Sequence, residues 1–294
     1  MCSFKIISIF LLVLLLFPSF QPKCGASASV EEAAALLKWK ASFQNQNNSN
    51  LTSWNLQSIN AKNSSSLPCT WAGVYCIRGS VNRLNLSNWR IKGSLYDFPF
   101  SSLPNLEYLD LSLNQIFGSI PKQIGKLQYL VELYLDNNNL TGSIPASFGD
   151  LNRLAELRLF QNNLSGPIPS AIGNLIPLRF LHLNQNNLTG AIPKSLGDLI
   201  NLIELHLFDN QLSGSVPKEL GNLKFLTIMA MSQNQLNGSI PPSIGNLSNL
   251  RTLFLRDNQF SGTIPQELGN LNKLVVLELD HNQFFGPLPK LLCQ

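Results

Sequence analysis

Side chains suited to recognition chemistry recur in this sequence at one fixed interval. Tyr134, Arg158, His182 and His206 follow one another at steps of 24 residues. Phenol, guanidinium and imidazole groups bind ligands by stacking, ion pairing and hydrogen bonding, and Tyr and Arg are enriched among the residues that dominate binding energy. A constant interval predicts that the four side chains occupy the same position in successive copies of one structural unit.

The structural unit that would position them is a 24-residue repeat. An Ile-Pro pair, replaced once by Val-Pro and once by Leu-Pro, returns at this interval from Ile120 to Leu288 without insertion. In one copy, Leu133 and Leu135 are expected to turn inward from a short strand, and the amide of Asn138 to bond backbone groups of neighbouring coils. Because a single coil cannot bury its apolar side, the coils must stack.

The repeat predicts an α/β fold, a right-handed leucine-rich-repeat solenoid with a parallel β-sheet on its concave face, short 3-10 or irregular convex segments and an N-terminal helical cap. The nine expected strands begin near Val81, Leu106, Leu130, Leu154, Leu178, Leu202, Leu226, Leu250 and Leu274. The first coil is irregular, since Trp89 stands where the repeat has asparagine, and the last coil is incomplete.

The N-terminus has the features of a secretory signal peptide over residues 1–28. An apolar run of 12 residues follows Lys5, and Ala28 ends a small-residue cleavage pattern. A membrane span needs about 20 residues, so no span is expected after cleavage. Charged residues are 13% of the chain and the net charge is +4, which favours an extracellular protein and gives no indication of nucleic-acid binding.

Two further regions are expected. Residues 29–80 form the N-terminal cap, where Ser29 and Glu32 have the spacing of a capping box ahead of a helix. Residues 81–294 form the solenoid.

The cysteines fit an oxidising compartment. Cys2 and Cys24 lie in the segment expected to be removed, which leaves Cys69 and Cys76 as the predicted disulfide. Tetrahedral zinc is the alternative, but two sulfurs without neighbouring His or Cys ligands are too few. Cys293 remains as an odd cysteine.

The repeat L-x-x-L-x-L-x-x-N-x-L-x-G-x-I-P-x-x-I/L-G-x-L, preceded by a segment from Cys69 through Trp71 and Gly73-Val74 to Cys76, resembles the ectodomains of plant leucine-rich-repeat receptor-like kinases and receptor-like proteins. The resemblance implies the sensing part of a cell-surface receptor, which binds a secreted peptide or protein and pairs with a co-receptor. It is shared by secreted inhibitors of cell-wall-degrading enzymes such as polygalacturonase, the alternative function. Because no membrane helix or kinase follows, we expect an N-terminal portion of a longer receptor or a shortened gene product.

Outward-facing strand residues are the candidate binding site, because side chains on a strand alternate between its two faces. The ligand-binding candidates are Tyr134, Arg158, Phe160, His182, Asn184, His206, Phe208, Phe254 and Arg256. The alternative is that these are ordinary solvent-facing strand residues. Nine strands at about 4.8 Å give a face roughly 38 Å long, which matches an extended peptide of about ten residues.

The two neighbouring histidines, His182 and His206, could in principle bind a metal. We expect none, because no nearby Cys or third His completes a ligand set and Arg158 would repel a cation. Both imidazoles are expected to ionise near pH 6.5, so that mildly acidic surroundings would favour an acidic partner. No cofactor is expected, and the sequence shows no grouping of nucleophile, base and orienting residue, which argues against an enzyme.

Asn-x-Ser/Thr sequons predict N-glycosylation on the secretory route. The candidate sites are Asn47, Asn50, Asn63, Asn139, Asn163, Asn187, Asn237 and Asn246. Asn139, Asn163 and Asn187 share one repeat position, so glycans there would line one edge and leave the concave centre open. Asn85 also lies in a sequon but is expected to point onto the binding side.

Overall fold

The computed structural model describes residues 26–45, 49–55 and 67–289. Its coils stack as the repeat predicts, and the expected leucine-rich-repeat solenoid is confirmed. Most of the predicted signal peptide, the sequon asparagines Asn47 and Asn63, and Cys293 lie outside the described residues. Within these residues, no helix combines the length and hydropathy needed to cross a bilayer.

The described residues contain strands numbered here in chain order. They are β1 Val74–Ile77, β2 Ser80–Asn85, β3 Lys92–Ser94, β4 Tyr108–Asp110, β5 Gln115–Ser119, β6 Glu132–Tyr134, β7 Asn139–Gly142, β8 Glu156–Arg158, β9 Asn163–Gly166, β10 Phe180–His182, β11 Asn187–Ala191, β12 Glu204–His206, β13 Gln211–Gly214, β14 Ile228–Ala230, β15 Gln235–Gly238, β16 Thr252–Phe254, β17 Gln259–Gly262, β18 Val276–Glu278 and β19 Gln283–Phe284.

The concave sheet consists of β1 and the even-numbered strands. The even-numbered strands pair in parallel, each with the equivalent residues of the next coil, whereas β1 pairs with β2 antiparallel. Leu133 and Leu135 are fully buried, as the L-x-x-L-x-L pattern predicts, and their neighbour Tyr134 is half-buried on the other side. The concave sheet therefore presents every second strand residue to the outside.

A second sheet, formed by the odd-numbered strands from β3 to β19, is a feature that the sequence analysis did not predict. Its strands also pair in parallel from coil to coil, as Asn187 of β11 with Ser165 of β9 shows. In β7, Leu140 is the only fully buried residue, and Gly142 leaves the strand at a φ of +76°. One apolar residue in so short a strand gives no alternation for a sequence pattern to detect.

Each regular coil closes with a short 3-10 turn opposite the concave sheet. The turns in the coils are Lys122–Lys126, Ala146–Asp150, Ser170–Asn174, Lys194–Asp198, Lys218–Asn222, Pro242–Asn246 and Gln266–Asn270. Pro145 precedes the second of these with a φ of −67°, which suits proline and requires no backbone donor. Phe148 points from this turn into the core and is fully buried.

Ladder asparagines connect the coils, as predicted. Asn138 Nδ2 donates to the carbonyl oxygen of Leu111 at 2.9 Å and to that of Leu135 at 3.1 Å, and its Oδ1 accepts the N–H of Ile116 at 2.9 Å. Asn162 repeats this arrangement one coil later. The buried amide thus satisfies backbone groups that neither sheet pairs.

The N-terminal cap covers the first coil with helix α1, Ala26–Ala41, and the 3-10 turn Ser49–Leu51. Trp39 is fully buried and donates from Nε1 to the carbonyl of Ser94 at 3.0 Å. Its ring meets those of Phe43 and Phe98 at centroid distances of 4.7 and 4.8 Å. Cys69 and Cys76 form a disulfide with an S–S distance of 2.03 Å.

The predicted capping box is wrong. Helix α1 begins at Ala26, so Ser29 lies within the helix and not at its N-cap. Glu32 is buried, and its carboxylate accepts hydrogen bonds from the hydroxyl of Ser80 and the N–H of Val81. The Glu32 carboxylate therefore binds residues that are distant in the sequence and does not cap the start of its own helix.

Candidate functional site

The tyrosine–arginine row is the first part of the candidate site. It consists of Arg83, Tyr108, Tyr134 and Arg158, one from each of the strands β2, β4, β6 and β8. The Arg83 guanidinium lies 4.0 Å from the centroid of the Tyr108 ring, and the Arg158 guanidinium lies 4.7 Å from that of Tyr134. The two tyrosine rings meet edge to face at 5.5 Å. The row is a continuous strip in which two adjacent aromatic groups lie between two cationic groups.

Carboxylates next to the row restrain it. The Tyr134 hydroxyl donates to Glu132 Oε2 at 2.7 Å, and Arg158 Nε donates to Glu156 Oε1 at 2.5 Å. Burial, assisted by the hydrogen bond to Glu132, raises the pKa of Tyr134, and burial also raises the pKa of Tyr108 to about 12. Both phenols are therefore protonated donors at any physiological pH.

The histidine–phenylalanine cluster is the second part. It consists of Phe160, His182, His206 and Phe208, which follow the row along the concave sheet. The two imidazole rings stack at a centroid distance of 4.3 Å. Phe160 lies 6.4 Å from His182, and Phe208 lies 6.1 Å from His206. Two aromatic rings thus flank a stacked histidine pair.

Glu204 lies between the two histidines. Its Oε2 is 3.1 Å from His182 Nε2 and 3.6 Å from His206 Nε2. Although both distances fall in the range of an ion pair, burial lowers the pKa of each histidine to about 4, assisted at His182 by Arg158 and at His206 by His182. The imidazoles are therefore neutral at pH 7, and the shorter contact is a hydrogen bond from a neutral N–H.

The expected ionisation of His182 and His206 near pH 6.5 is therefore wrong. Their side chains are only 13% and 23% exposed, and burial disfavours the charged form. Mild acidity leaves them neutral, so they cannot attract an acidic partner by charge. The cationic group of this region is Arg158.

Three other predicted ligand-binding residues stand apart from the row and the cluster. Asn184 is only 5% exposed, which leaves little of its side chain for a ligand. Phe254 is separated from His206 by the strand that contains the buried Ala230. Arg256 follows β16, two concave strands beyond β12, and its Nε lies 3.1 Å from a carboxylate oxygen of Asp257 and 3.1 Å from one of Asp280.

Sequence reasoning missed a whole row of site residues, the position just before the second leucine of each L-x-x-L-x-L segment. In the six coils that contain β2 to β12, these residues are Arg83, Tyr108, Glu132, Glu156, Phe180 and Glu204. The alternation that places Tyr134 outside also places Glu132 outside, so the signal was available. The predicted binding residues come only from the two outward positions after that leucine.

Apart from Asn85, which lies in β2 two residues after Arg83, the sequon asparagines in the described residues lie away from the row and the cluster. Asn139, Asn163 and Asn187 are exposed at the first positions of β7, β9 and β11 in the second sheet. Asn237 is exposed in β15, Asn246 is exposed at the end of a 3-10 turn, and Asn50 is exposed in the cap. Glycosylation at these positions stays a prediction.

Three family profiles match the chain. The profile described as leucine rich repeat N-terminal domain matches residues 30–77, that of leucine-rich repeat region matches residues 83–213, and that of leucine rich repeat matches residues 225–247 and 249–271. The chain belongs to the leucine-rich-repeat proteins. The matched residues include the cap, the row and the cluster.

Relatives of this leucine-rich-repeat protein are plant receptor kinases. The Arabidopsis thaliana MDIS1-interacting receptor like kinase 2 is 50% identical over 107 residues, which are 36% of this chain and 10% of the kinase. The chain thus aligns with a small part of that relative's length.

Two solved structures show the same fold. One is the leucine-rich-repeat ectodomain of the Arabidopsis thaliana receptor kinase GASSHO1/SCHENGEN3 in complex with CASPARIAN STRIP INTEGRITY FACTOR 2. It has a TM-score of 0.83 and 39% identity, covering 89% of this chain and 31% of that one. The other is the Arabidopsis receptor kinase HAESA with the peptide hormone IDA and the co-receptor SERK1, with a TM-score of 0.68 and 32% identity over 88% of this chain and 47% of that one.

Proposed function

We propose that this chain is the non-enzymatic sensing part of a plant cell-surface receptor, and that its concave face binds an extended peptide or protein segment. The observation that supports the proposal is the continuity of the tyrosine–arginine row and the histidine–phenylalanine cluster over successive concave strands. The complex of the similar HAESA ectodomain with a peptide hormone agrees with it.

The chemistry of the surface defines the ligand. Partly exposed Phe160 and Phe208 offer apolar surface on either side of the neutral histidines, which favours a ligand with apolar side chains. Arg158 is 40% exposed and remains able to meet an acceptor while it is paired with Glu156. We infer an apolar segment with a carboxylate or carbonyl group beside Arg158.

The length of the surface sets the length of the segment. The row and the cluster extend from β2 to β12, which is six strands at about 4.8 Å, or roughly 24 Å. An extended chain advances about 3.3 Å per residue, so about seven ligand residues would contact this surface. The exposed sequon residues Asn139, Asn163 and Asn187 lie on the second sheet, so glycans at these positions would leave the concave face open to such a ligand.

A cell-surface location and a co-receptor belong to the same proposal. The similar HAESA ectodomain was solved together with the co-receptor SERK1. By that analogy, ligand bound to the concave face of this chain would promote pairing with a second ectodomain.

Peptide capture tests the proposed function. The purified, secreted chain is immobilised and exposed to extracellular peptides from plant tissue, and retained peptides are identified by mass spectrometry. A binding variant combines Arg158→Ala, Phe160→Ala and Phe208→Ala. A matched control makes the same kind of change on the lateral surface, at the exposed residues Arg153, Ile200 and Phe225.

The expected result is a set of peptides retained by the original chain and by the lateral control and lost from the binding variant. Circular dichroism of the three proteins establishes that each is folded. Equal retention by the binding variant would overturn the assignment of the concave face, because all three substitutions lie on it.

A further inference from the structure

Three potential metal ligands converge within the histidine–phenylalanine cluster. One possible ligand atom from each of His182, Glu204 and His206 lies within 4.8 Å of those of the other two residues. The residues come from the adjacent strands β10 and β12, which pair in register so that His182 is directly opposite His206. Glu204 lies on the same face as His206, two residues earlier in β12.

The separations of these atoms match those around a small divalent ion. Zinc binds imidazole nitrogen and carboxylate oxygen at about 2.1 Å, which in a tetrahedron places neighbouring ligand atoms about 3.4 Å apart. Glu204 Oε2 lies 3.1 Å from one nitrogen and 3.6 Å from the other. Both separations of the carboxylate oxygen from an imidazole nitrogen are therefore close to the tetrahedral value.

The orphaned nitrogen of His206 is an independent observation. His206 Nε2 is buried and has no hydrogen-bond partner among the described residues, although a buried polar atom without a partner is unfavourable. A metal ion would satisfy this atom and would replace the hydrogen bond between His182 and Glu204.

Two considerations argued against a metal from sequence, and the structure changes both. The sequence offers no third His or Cys nearby, but the structure places the carboxylate of Glu204 as a third possible ligand. Arg158 still opposes a cation at His182, but its guanidinium is paired with Glu156 and lies over the ring of Tyr134. A carboxylate in the ligand set offsets the remaining repulsion.

We propose that His182, Glu204 and His206 bind one divalent transition-metal ion of the zinc class on the concave face. Two nitrogens and one oxygen satisfy three positions of a tetrahedron, and the fourth remains open to water or to a ligand group. This metal site does not depend on the proposed peptide recognition, since it requires only residues of this chain.

Zinc titration tests the metal site. The full chain, secreted without a polyhistidine tag and freed of metal with a chelator, is titrated with Zn²⁺ by calorimetry in the absence of any peptide. The variants are His182→Asn with His206→Asn, and separately Glu204→Gln. His281→Asn is the matched control, because His281 is an exposed histidine that also lies beside carboxylates, those of Asp257 and Asp280.

We expect the original chain and the His281 variant to bind zinc in a one-to-one ratio, the Glu204 variant to bind about tenfold more weakly or less, and the double histidine variant to lose the binding. Melting curves in chelator show whether each variant is folded. A second probe, Co²⁺ added to the unaltered chain, should give the visible absorption bands of a tetrahedral site.

Other results would overturn the proposal. Zinc binding that persists in a folded double histidine variant, or that disappears with His281, would place the metal elsewhere. The absence of both stoichiometric zinc binding and a tetrahedral cobalt spectrum in the unaltered chain would show that the three side chains do not form a metal site.

Discussion

The carboxylate of Glu32 accepts the backbone N–H of Val81 at 3.0 Å, which joins helix α1 to the first strand of the regular stack. The same carboxylate accepts the Ser80 hydroxyl at 2.5 Å. Val81 needs a partner here because it lies at the end of the solenoid, where no preceding parallel strand supplies a carbonyl. Helix α1 therefore satisfies a backbone group as well as covering apolar side chains.

Substitution of Glu32 should detach the cap. Glu32→Ala leaves the buried Val81 N–H without its acceptor, and we expect a loss of about 2 kcal/mol in the free energy of unfolding. Glu31 is the neighbouring control, because it is exposed on the same helix, and Glu31→Ala should change stability by less than about 0.5 kcal/mol. Urea denaturation measures both, and faster amide exchange in α1 of the Glu32 variant would locate the effect. Equal stabilities of the two variants would contradict this role of Glu32.

Loss of a ladder asparagine should destabilise the stack between coils. Asn162→Ala removes the acceptor of the Leu140 N–H and the donor to the carbonyls of Leu135 and Leu159, all in the buried interior. We expect a loss of about 3 kcal/mol in the free energy of unfolding, because several buried groups lose their partner together. Urea denaturation measures it.

Asn201 provides the control for that experiment. It also donates to a neighbouring coil, to the carbonyl of Ile176 at 3.0 Å, but from an exposed position where water can replace it. Asn201→Ala should therefore cost less than about 0.5 kcal/mol. A comparable loss from both substitutions would show that burial does not determine the contribution of the ladder.

The sequence predicted those features that repeat with an apolar period. Inward leucines such as Leu133 and the asparagines such as Asn138 occupy the predicted places because each coil has the same requirements. The second sheet was missed because a strand such as β7 buries a single leucine, so its pairing depends on the neighbouring coil and not on its own pattern.

The candidate site was predicted less completely, for a related reason. Outward positions could be read from strand alternation, but the environment of each side chain depends on its neighbours across strands. Burial and the charge interaction with His182, whose ring stacks on it, lower the pKa of His206, and Glu204 lies between the two rings. His182 lies on β10, whereas Glu204 and His206 lie on β12, so only Glu204 and His206 are close to each other in the sequence.

Two kinds of glycine should respond differently to substitution. A Cβ on Gly197 would lie 2.5 Å from the backbone carbonyl oxygen of Glu219 in the next coil, so the coils could not stack at their present distance. Gly142 has a φ of +76° but its Cβ would meet only Ser119 Cβ at 3.4 Å. We expect Gly197→Ala to lower the free energy of unfolding by more than about 2 kcal/mol. Gly142→Asn should lower it by only about 1 kcal/mol, because asparagine tolerates a positive φ.

Thermal or urea denaturation of the two glycine variants measures the difference. Gly142→Ala completes the comparison, because it adds backbone strain without a clash and should fall between the other two. A Gly197→Ala protein as stable as the unaltered chain would show that the convex turns can separate without cost.

The buried histidine pair should make the fold less stable as the pH falls. The pKa values of His182 and His206 are about 4 in the folded chain, below the value of about 6.5 expected when unfolded. The unfolded chain therefore binds more protons between these values, and stability that is present above pH 6.5 is lost progressively toward pH 4. Between pH 7 and pH 5 we expect each histidine to lower the free energy of unfolding by about 2 kcal/mol.

Urea denaturation at pH 7 and pH 5, in the presence of a chelator, separates this contribution from those of other groups. His182→Asn with His206→Asn should lose less stability over this interval than the unaltered chain, because asparagine does not titrate. An unchanged pH dependence in the double variant would mean that the two imidazoles are solvated well enough to ionise in the folded chain, and the stacked pair could not then be a neutral element of the concave face.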